Sequence, residues 1–281
     1  MSQRWLITGS SRGLGRALAE AALAAGLRVV ATARDPRALA DLVDQYGDAV
    51  RTATLDVTDP QAAARAVALA VETFGGLDVV VNNAGYGDIG SVEDTALEDF
   101  RKQIDANLFG AIIVTKAAIP VMREQRSGHF IQLSSVGGRL GAPGRAAYSA
   151  AKWAVEGFSE VLAQEMALVG VKVTIVEPGG FRTDFAGAST TLNAGRPEYD
   201  AVVGAAARRQ AQYDGRQPGD PKRAAQVLLA VAAMDEPPLR LPLGSDAVAA
   251  INAADQRRLA ELERWGPLSA STDFDDPGPA S

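Results

Sequence analysis

A tyrosine and a lysine lie four residues apart in the segment Tyr148–Lys152. On a helix this spacing places both side chains on one face, with their Cβ atoms about 5–6 Å apart. A free tyrosine has a pKa of about 10, and a nearby ammonium lowers that pKa because it favours the phenolate. Such a tyrosine can exchange a proton with a carbonyl or an alcohol near neutral pH. Taken alone, the pair would only indicate a tyrosine at a helix start beside a solvated lysine.

Polar or glycine-containing segments follow several apolar runs elsewhere in the chain. Leu133–Ser135 and Val81–Gly85 each end such a run, Pro178–Thr183 follows a third, and Asn107 lies in a long predicted helix. Ligands of open α/β sheets bind outside the carboxyl ends of the strands. These residues should therefore converge along one crevice.

The turn Thr8–Gly15 joins the apolar run Trp5–Ile7 to a segment with helical periodicity. Its glycines would let backbone N–H groups approach a phosphate, and the helix N-terminus adds a partial positive charge. The spacing, T-G-x-x-x-G-x-G, differs from the common dinucleotide fingerprint G-x-G-x-x-G. A purely structural strand-to-helix turn is the alternative interpretation.

Strand-like and helix-like segments alternate along the chain, which is typical of an α/β fold with a doubly wound parallel sheet and helices on both faces. About seven strands are predicted, at Trp5–Ile7, Leu27–Ala33, Val50–Leu55, Leu77–Val81, Phe130–Leu133, Val171–Val176 and Leu239–Pro242. No linker divides the chain, so a single domain is predicted over residues 1–265.

Signals for helix starts and loops complete this outline. Asp59 and Pro60 favour a helix start, and Thr95–Glu98 reads as a capping box that opens a helix to about Glu124. Further predicted helices are Pro36–Tyr46, Ala147–Val169, Ala201–Gln212, Lys222–Met234 and Ala247–Trp265, the last within a C-terminal extension at 245–265. Weak periodicity predicts a substrate lid over 181–219, and composition predicts a disordered tail over 266–281.

Composition excludes several classes of function. The chain of 281 residues has a net charge of −6 and no basic block, so nucleic-acid binding is not expected. It has no cysteine, and its one histidine, His129, is predicted to lie in a turn entering a strand, so no metal site is expected. No signal peptide precedes the first strand and no apolar run reads as long enough to span a bilayer, which predicts a cytoplasmic protein without membrane contact.

The ordered set of motifs resembles the classical short-chain dehydrogenase/reductase family from about Gln3 to Asp184, and the resemblance implies a Rossmann-type fold. The matching pieces are Thr8–Gly15, Asp56-Val57, Asn82–Gly85, Asn107, Ser135, Tyr148, Lys152 and Pro178–Thr183. Each piece is modestly specific, whereas their order along the chain is highly specific.

The resemblance implies roles for four catalytic residues. Tyr148 would be the general acid/base, and Lys152 would lower its pKa and hold the nicotinamide ribose. Ser135, which lies at the family's usual distance from the tyrosine, would polarise the substrate carbonyl. Asn107 would hold a water that links Lys152 to solvent. Ser134 is expected to face the core.

The resemblance also implies a dinucleotide site. Asp56 would accept from the adenine amino group, and Asn83–Gly85 would line the adenosine side, whereas Asn82 would tie neighbouring strands together. Thr183 would meet the cofactor or cap whatever follows it. The implied cofactor-binding residues are Gly9, Ser11, Arg12, Gly13, Leu14, Gly15, Arg34, Asp56, Val57, Asn83, Ala84, Gly85, Tyr148, Lys152, Pro178, Gly179 and Thr183.

The charges near the second strand favour NADP(H) over NAD(H). Enzymes that prefer NAD usually place a carboxylate at the end of this strand, where this chain has Ala33. Arg34 follows, and Arg12 lies in the glycine turn, so two guanidinium groups could bind a 2′-phosphate. Asp35 could instead turn inward or pair with Arg34.

The favoured activity is hydride transfer between NADPH and a carbonyl or secondary alcohol. The substrate would lie under the lid and beside Gly137–Gly144, with Phe181, Phe185, Tyr199 and Tyr213 as apolar walls, which favours a small hydrophobic compound. By resemblance, the helices 97–124 and 147–169 could form a homodimer contact. The alternatives are a non-catalytic NADP sensor, which would typically lack the tyrosine or lysine, and a sugar-nucleotide epimerase or dehydratase, which would typically have a different glycine turn.

Overall fold

The structure, a computed structural model, describes residues 2–185, 187, 190–193 and 195–274. Its strands are β1 (Arg4–Ile7), β2 (Arg28–Ala33), β3 (Val50–Thr54), β4 (Val79–Asn82), β5 (Gly128–Leu133), β6 (Val171–Pro178) and β7 (Arg240–Leu243). Its α-helices are α1 (Gly13–Ala24), α2 (Ala40–Tyr46), α3 (Pro60–Phe74), α4 (Leu97–Ile104), α5 (Gly110–Gln125), α6 (Ala146–Ala167), α7 (Ala205–Tyr213), α8 (Pro221–Ala232) and α9 (Ser245–Ala270).

Within the described residues, the seven strands form one parallel sheet in the order β3-β2-β1-β4-β5-β6-β7. The predicted doubly wound α/β fold is confirmed. The order reverses between β1 and β4, where Leu6 is in register with Val80. The chain leaves these two strands toward opposite halves of the sheet, so a crevice opens at their carboxyl ends.

Helices cover both faces of the sheet, and each face has its own apolar core. One core joins β1 and β2 to α1 and α8 through residues such as Leu18 and Leu228. The other joins the opposite face to α3, α5 and α6 through residues such as Val67, Met122 and Leu162. Because strands buried on both faces carry apolar residues at nearly every position, β4 reads as a continuous valine run.

Local capping explains some helix starts and corrects one prediction. The Asp59 carboxylate accepts hydrogen bonds from the amides of Gln61 and Ala62 at 2.8 and 3.1 Å, which confirms the predicted cap of α3. The predicted capping box at 95–98 is wrong, because α4 begins after Ala96, which has no polar side chain. The Thr95 hydroxyl donates instead to the Ser91 carbonyl oxygen at 2.6 Å.

A π-helical turn over Asp105–Phe109 joins α4 to α5, so the predicted helix continues to Gln125 with one local change of winding. By length and composition this continuous helix, Leu97–Gln125, could cross a membrane. The expectation that no apolar run is long enough is therefore wrong. One such helix is weak evidence, since core helices pass the same test, and α5 packs Val114 and Met122 into the core.

The segment predicted as a lid contains regular structure. A π-helical turn at Asp200–Gly204 leads into α7, close to the predicted helix. At the C-terminus, α9 ends at Ala270, so residues 266–270 continue the helix and the prediction that the tail begins at 266 is wrong. The predicted tail residues 275–281 lie outside the described residues.

His129 lies inside β5 and is only 3% exposed, so its predicted place in a turn is wrong. Its Nε2 atom lies 2.9 Å from the Thr174 hydroxyl oxygen. That hydroxyl already donates its proton to the Pro238 carbonyl oxygen at 2.8 Å, so His129 must be the donor and Nε2 carries its proton. Burial, and to a smaller extent the charge of Lys172, lowers the pKa of His129 to about 4.

This burial predicts a specific loss of stability in acid. Between pH 6.5 and 4, His129 binds a proton in the unfolded chain but stays neutral in the folded chain. The free energy of unfolding therefore falls as the pH falls. The shift of the pKa from 6.5 to about 4 corresponds to about 3 kcal/mol. The measurement is urea unfolding at pH 7 and pH 4 for the wild type and for His129→Gln, whose amide can keep the bond to Thr174. Carboxylates titrate equally in both, so equal pH dependence would contradict the assignment.

Candidate active site

A cleft of about 1050 Å³ opens at the carboxyl edge of the sheet and collects most of the predicted site residues. The predicted residues that line it are Gly9, Ser11, Arg12, Gly13, Leu14, Arg34, Asp56, Val57, Asn83, Ala84, Gly85, Ser135, Tyr148, Lys152, Pro178, Gly179 and Thr183. Two predicted residues do not line it. Gly15 packs beneath the glycine turn, and Asn107 lies behind Gly85.

The glycine turn leaves the N-terminus of α1 open. Gly9 and Gly13 have φ values of +68° and +60°, which favour glycine. The residue before α1, Arg12, makes no side-chain cap, and the first turn has no acidic residue, so the first backbone N–H groups of α1 have no side-chain cap among the described residues. By contrast, aspartates cap α3 and α8. This open end fits the phosphates of a dinucleotide.

Polar side chains of β1 and β4 hold this turn in place. The Thr8 hydroxyl accepts from the amides of Asn83 and Ala84 at 2.9 and 3.0 Å. The Asn83 amide group donates to the carbonyl oxygens of Thr8 and Gly9 at 2.8 and 3.2 Å. The neighbouring Asn82 binds Thr115 and Gln132, which confirms its predicted role of tying elements together.

One end of the cleft has two exposed arginines, Arg12 and Arg34. Neither forms an ion pair with another residue that the structure describes. Asp35, by contrast, pairs with Arg37 at 2.8 Å and accepts its amide, so the expectation that it turns inward or pairs with Arg34 is wrong. The Asp56 carboxylate accepts from the amide and hydroxyl of Thr58, which lowers its pKa.

Tyr148 lies at the opposite end of the cleft and is 7% exposed. Its ring centroid is 5.6 Å from that of Phe185 and 5.8 Å from the guanidinium carbon of Arg145. Burial raises the pKa of the Tyr148 phenol, while the Ser135 hydroxyl and the Arg145 charge act in the opposite direction. The expectation that Lys152 lowers this pKa is therefore wrong: the phenol is protonated at neutral pH and can act as a proton donor.

Ser135 follows β5, and its hydroxyl accepts from the Gly137 amide at 3.0 Å. A Cβ atom at Gly137 would lie 3.2 Å from the Tyr148 ring and 3.5 Å from the Ser135 hydroxyl oxygen, so glycine permits their close approach. Ser134 is 4% exposed, although it also lines the cleft.

Lys152 lies one turn after Tyr148, as predicted, with its ammonium nitrogen 5.8 Å from the tyrosine ring centroid. The ammonium donates to the Leu133 carbonyl oxygen at 2.7 Å. Burial lowers the pKa of Lys152 to about 8, and the charge of Glu156, one turn further along α6, opposes this change. Lys152 and Glu156 thus form a second interacting pair on α6, which the sequence analysis missed although their four-residue spacing was a usable signal.

Asn107 lies in the π-helical turn, and its amide group donates to the carbonyl oxygens of Tyr86 and Gln103 at 2.8 Å each. Its side-chain oxygen is buried without a protein partner among the described residues. A Cβ atom at Gly85 would lie 2.4 Å from this oxygen and 3.6 Å from the Lys152 ammonium. The asparagine oxygen and the ammonium thus approach the same backbone position.

The segment after β6 closes the cleft above the glycine turn. A Cβ atom at Gly13 would meet the Thr183 side chain at 3.4 Å, and the Thr183 hydroxyl accepts from the Phe185 amide at 3.3 Å. The Gly180 amide donates to the Asp246 carboxylate at 2.7 Å, which fixes this segment to the start of α9. Thr183 caps no helix in the structure.

Two findings concern residues that sequence reasoning misplaced or missed. Phe181, Phe185 and Tyr213 line the cleft as expected, but Tyr199 does not, because its hydroxyl donates to the Glu93 carboxylate outside the cleft. Arg145 was missed, although a charged residue three positions before the tyrosine was a usable signal. Within the described residues, no group of three or more potential metal ligands lies together.

Comparisons with known proteins agree with this geometry. A family model described as short chain dehydrogenase matches residues 3–193. The chain is 48% identical over 273 residues to the oxidoreductase BOA17 of Botryotinia fuckeliana, a match that covers 97% of this chain and 100% of that protein. The chain belongs to the short-chain dehydrogenase/reductase family and is an oxidoreductase of that family.

Solved structures support the same assignment. A short-chain dehydrogenase from Streptomyces avermitilis superposes with a TM-score of 0.91 at 42% identity, over 97% of this chain and 98% of that one. An alcohol dehydrogenase from Thermococcus sibiricus, complexed with 5-hydroxy-NADP, superposes with a TM-score of 0.71 at 25% identity, over 86% and 96%. The fold is therefore one that binds nicotinamide dinucleotides.

The packing under the glycine turn predicts that Gly15→Ala destabilises the protein. The added Cβ atom would lie 2.4 Å from both the Asn83 amide nitrogen and the Gly9 carbonyl oxygen, so the turn must shift. We expect a loss of about 1–3 kcal/mol in the free energy of unfolding, measured in urea, and weaker NADPH binding, measured by fluorescence.

Gly157→Ala is the matched control, because a Cβ atom at this exposed position of α6 meets no atom within 4 Å. Alanine there should stabilise the helix by about 0.5–1 kcal/mol. Equal stability of the two variants would contradict the described contact between Gly15 and Asn83.

Proposed function

We propose that the protein transfers a hydride between NADP(H) and a ketone, an aldehyde or a secondary alcohol. One observation carries this proposal: the cleft joins the open N-terminus of α1 at one end to the Tyr148 phenol, the Ser135 hydroxyl and the Lys152 ammonium at the other. A dinucleotide bound along this cleft supplies the hydride from its nicotinamide ring.

The residues of the chain supply binding and proton transfer. The backbone of the glycine turn would bind the phosphates, and Lys152 would donate to the nicotinamide ribose. Ser135 would donate a hydrogen bond to the substrate carbonyl oxygen and stabilise the negative charge that develops there. Tyr148, which burial keeps protonated, would give its proton to that oxygen, so that the carbonyl becomes an alcohol.

Asn107 and Lys152 would return the proton. The buried side-chain oxygen of Asn107 lacks a protein partner among the described residues, and it approaches the same backbone position as the ammonium. We propose that a water bound between them passes a proton from solvent toward Tyr148. The pKa of Lys152, lowered to about 8, makes that ammonium a proton donor near neutral pH.

Preference for NADP(H) follows from the charges at the adenosine end. Arg34 and Arg12 lie there without ion-pair partners among the described residues, whereas Asp35 is held by Arg37. A guanidinium group binds a phosphate through paired, charge-assisted hydrogen bonds. The 2′-phosphate of NADP(H) would satisfy these arginines better than a ribose hydroxyl.

Replacement of Arg34 tests this preference. We expect Arg34→Ala to lower kcat/KM for NADPH by about 10- to 100-fold, as the loss of a charge-assisted bond implies, and to change the value for NADH little. The control is Arg223→Ala on α8, whose side chain is 90% exposed and should leave both values unchanged. Equal wild-type values for the two cofactors would refute the preference.

Tyr148→Phe separates catalysis from the alternative of a non-catalytic NADP sensor. Loss of the phenol should lower the rate of NADPH-dependent carbonyl reduction by about 10²- to 10⁴-fold, while NADPH binding, measured by fluorescence, survives. The matched control is Tyr199→Phe, since that tyrosine lies outside the cleft. A wild-type protein that binds NADPH yet reduces no member of a diverse carbonyl panel would favour the sensor.

The substrate and the assembly are further parts of the proposal. Phe181, Phe185 and Tyr213 provide aromatic walls of the cleft, and Phe185 contacts Tyr148, which suits a carbon skeleton of low polarity. A homodimer through the helices 97–124 and 147–169 would cover exposed apolar side chains such as Phe109 and Val161.

A further inference from the structure

Arg145 directly precedes α6 and lines the substrate end of the cleft. Its guanidinium carbon lies 5.8 Å from the Tyr148 ring centroid. Its N–H groups donate to the Gly87 carbonyl oxygen at 3.4 Å and to the Gln210 side-chain oxygen at 3.0 Å. The guanidinium group is thus positioned beside the Tyr148 ring by two neutral acceptors, one in the loop after β4 and one on α7.

The charge of Arg145 has no ion-pair partner among the described residues. The facing carboxylate is Asp88, which accepts the Thr191 amide at 2.8 Å. Arg145 is partly buried, and this burial lowers its pKa. A partly buried cation that is hydrogen-bonded only by neutral acceptors is costly, and such groups concentrate at functional sites.

A second cavity of about 560 Å³ adjoins the cleft, and Arg145, Gln210 and Tyr213 line both. Arg209 and Arg216 also line the second cavity. Its lining, in the part of the chain that the structure describes, therefore contains three guanidinium groups and no carboxylate. The protein as a whole has a net charge of −6, so this cavity is a local reversal of charge.

We propose that the substrate carries an oxyanion, either a carboxylate or a phosphate, that binds Arg145 while its carbonyl group faces Tyr148. This inference rests on the function proposed above and names the substrate class of the same site. The planar fork of arginine matches both groups through two parallel hydrogen bonds. The aromatic walls, Phe185 and Tyr213, would pack against the carbon chain between the two ends of the substrate.

The short distance between Arg145 and Tyr148 limits the length of that carbon chain. An oxyanion on Arg145 itself should be separated from the carbonyl by only a few carbons. A longer chain would pass Arg145 and place its oxyanion in the second cavity, near Arg209 and Arg216. The length dependence of activity therefore reports which guanidinium group binds the oxyanion.

The test compares oxo acids with their methyl esters, which share a carbon skeleton and differ in charge. With NADPH, we expect at least one of 4-oxopentanoate, 5-oxohexanoate, 6-oxoheptanoate and 7-oxooctanoate to exceed its ester in kcat/KM by about 10- to 100-fold. An oxoalkyl phosphate and its parent alcohol form the second arm, which distinguishes phosphate from carboxylate. Calorimetric binding of each compound to the complex with NADP+ gives a readout that does not need turnover.

Variants assign the preference to the guanidinium group. Arg145→Met should bring the ratio of acid to ester close to one, and Arg145→Lys should give an intermediate ratio because it keeps the charge but loses the fork. The matched control is Arg208→Gln, since Arg208 lies on the same helix as Arg209 but pairs with Asp200 at 2.7 Å and lines neither cavity. Thermal unfolding confirms that each variant is folded.

The outcomes distinguish this inference from the proposed function. Equal binding and equal kcat/KM of every charged compound and its neutral partner overturn the inference and leave the function standing. Tight binding of acids that Arg145→Met abolishes supports the inference, even if no carbonyl is reduced, which would overturn the function. A preference that survives in Arg145→Met but disappears in Arg209→Gln/Arg216→Gln overturns the assignment to Arg145.

Discussion

The site depends on one buried hydrogen bond, from the Lys152 ammonium to the Leu133 carbonyl oxygen at 2.7 Å. It joins helix α6 to the carboxyl end of strand β5, and Lys152 is only 4% exposed. A buried ammonium is costly unless it is hydrogen-bonded, so the contact favours the packing that brings Lys152 of α6 to the end of β5. Tyr148 lies one turn earlier on that helix and Ser135 lies just after that strand, so the same bond links the two elements that carry them.

The end of the cleft at the glycine turn is stabilised in a different way. Side chains of Thr8 and Asn83 bind the backbone of the glycine turn and its neighbours, while the first N–H groups of α1 are left without a side-chain cap. Positive φ values at Gly9 and Gly13 allow the chain to make this turn. Side chains just after β1 and β4 thus stabilise the glycine turn, while the N–H groups at the start of α1 remain available as donors. This arrangement suits a ligand rich in phosphate oxygens.

Local patterns were sufficient to predict the sheet and the Tyr148/Lys152 pair, whereas most other site residues were predicted from the resemblance to the short-chain dehydrogenase/reductase family. Strand and helix bounds follow from apolar periodicity, and the spacing of Tyr148 and Lys152 determines their common helix face. Side-chain partners across the fold could not be predicted in this way. His129 is buried and contacts a threonine of the neighbouring strand. Asp35 pairs with Arg37 rather than with Arg34, and the Arg145 guanidinium lies beside the tyrosine ring. Each of these contacts depends on the distances between elements of the fold, and the periodicity of the sequence does not specify those distances.

The segment predicted as a lid, 181–219, is attached by contacts of a different kind from the buried bond of Lys152. Arg196 pairs with Asp94 at 2.9 Å near the surface, and backbone bonds join Ile89 to residues 191 and 193. Exposed ion pairs contribute about 0–1 kcal/mol each and are weakened by dissolved ions, whereas buried bonds such as that of Lys152 are screened much less. Ionic strength therefore acts on the pairing of Arg196 with Asp94 and leaves the buried bond of Lys152 largely untouched.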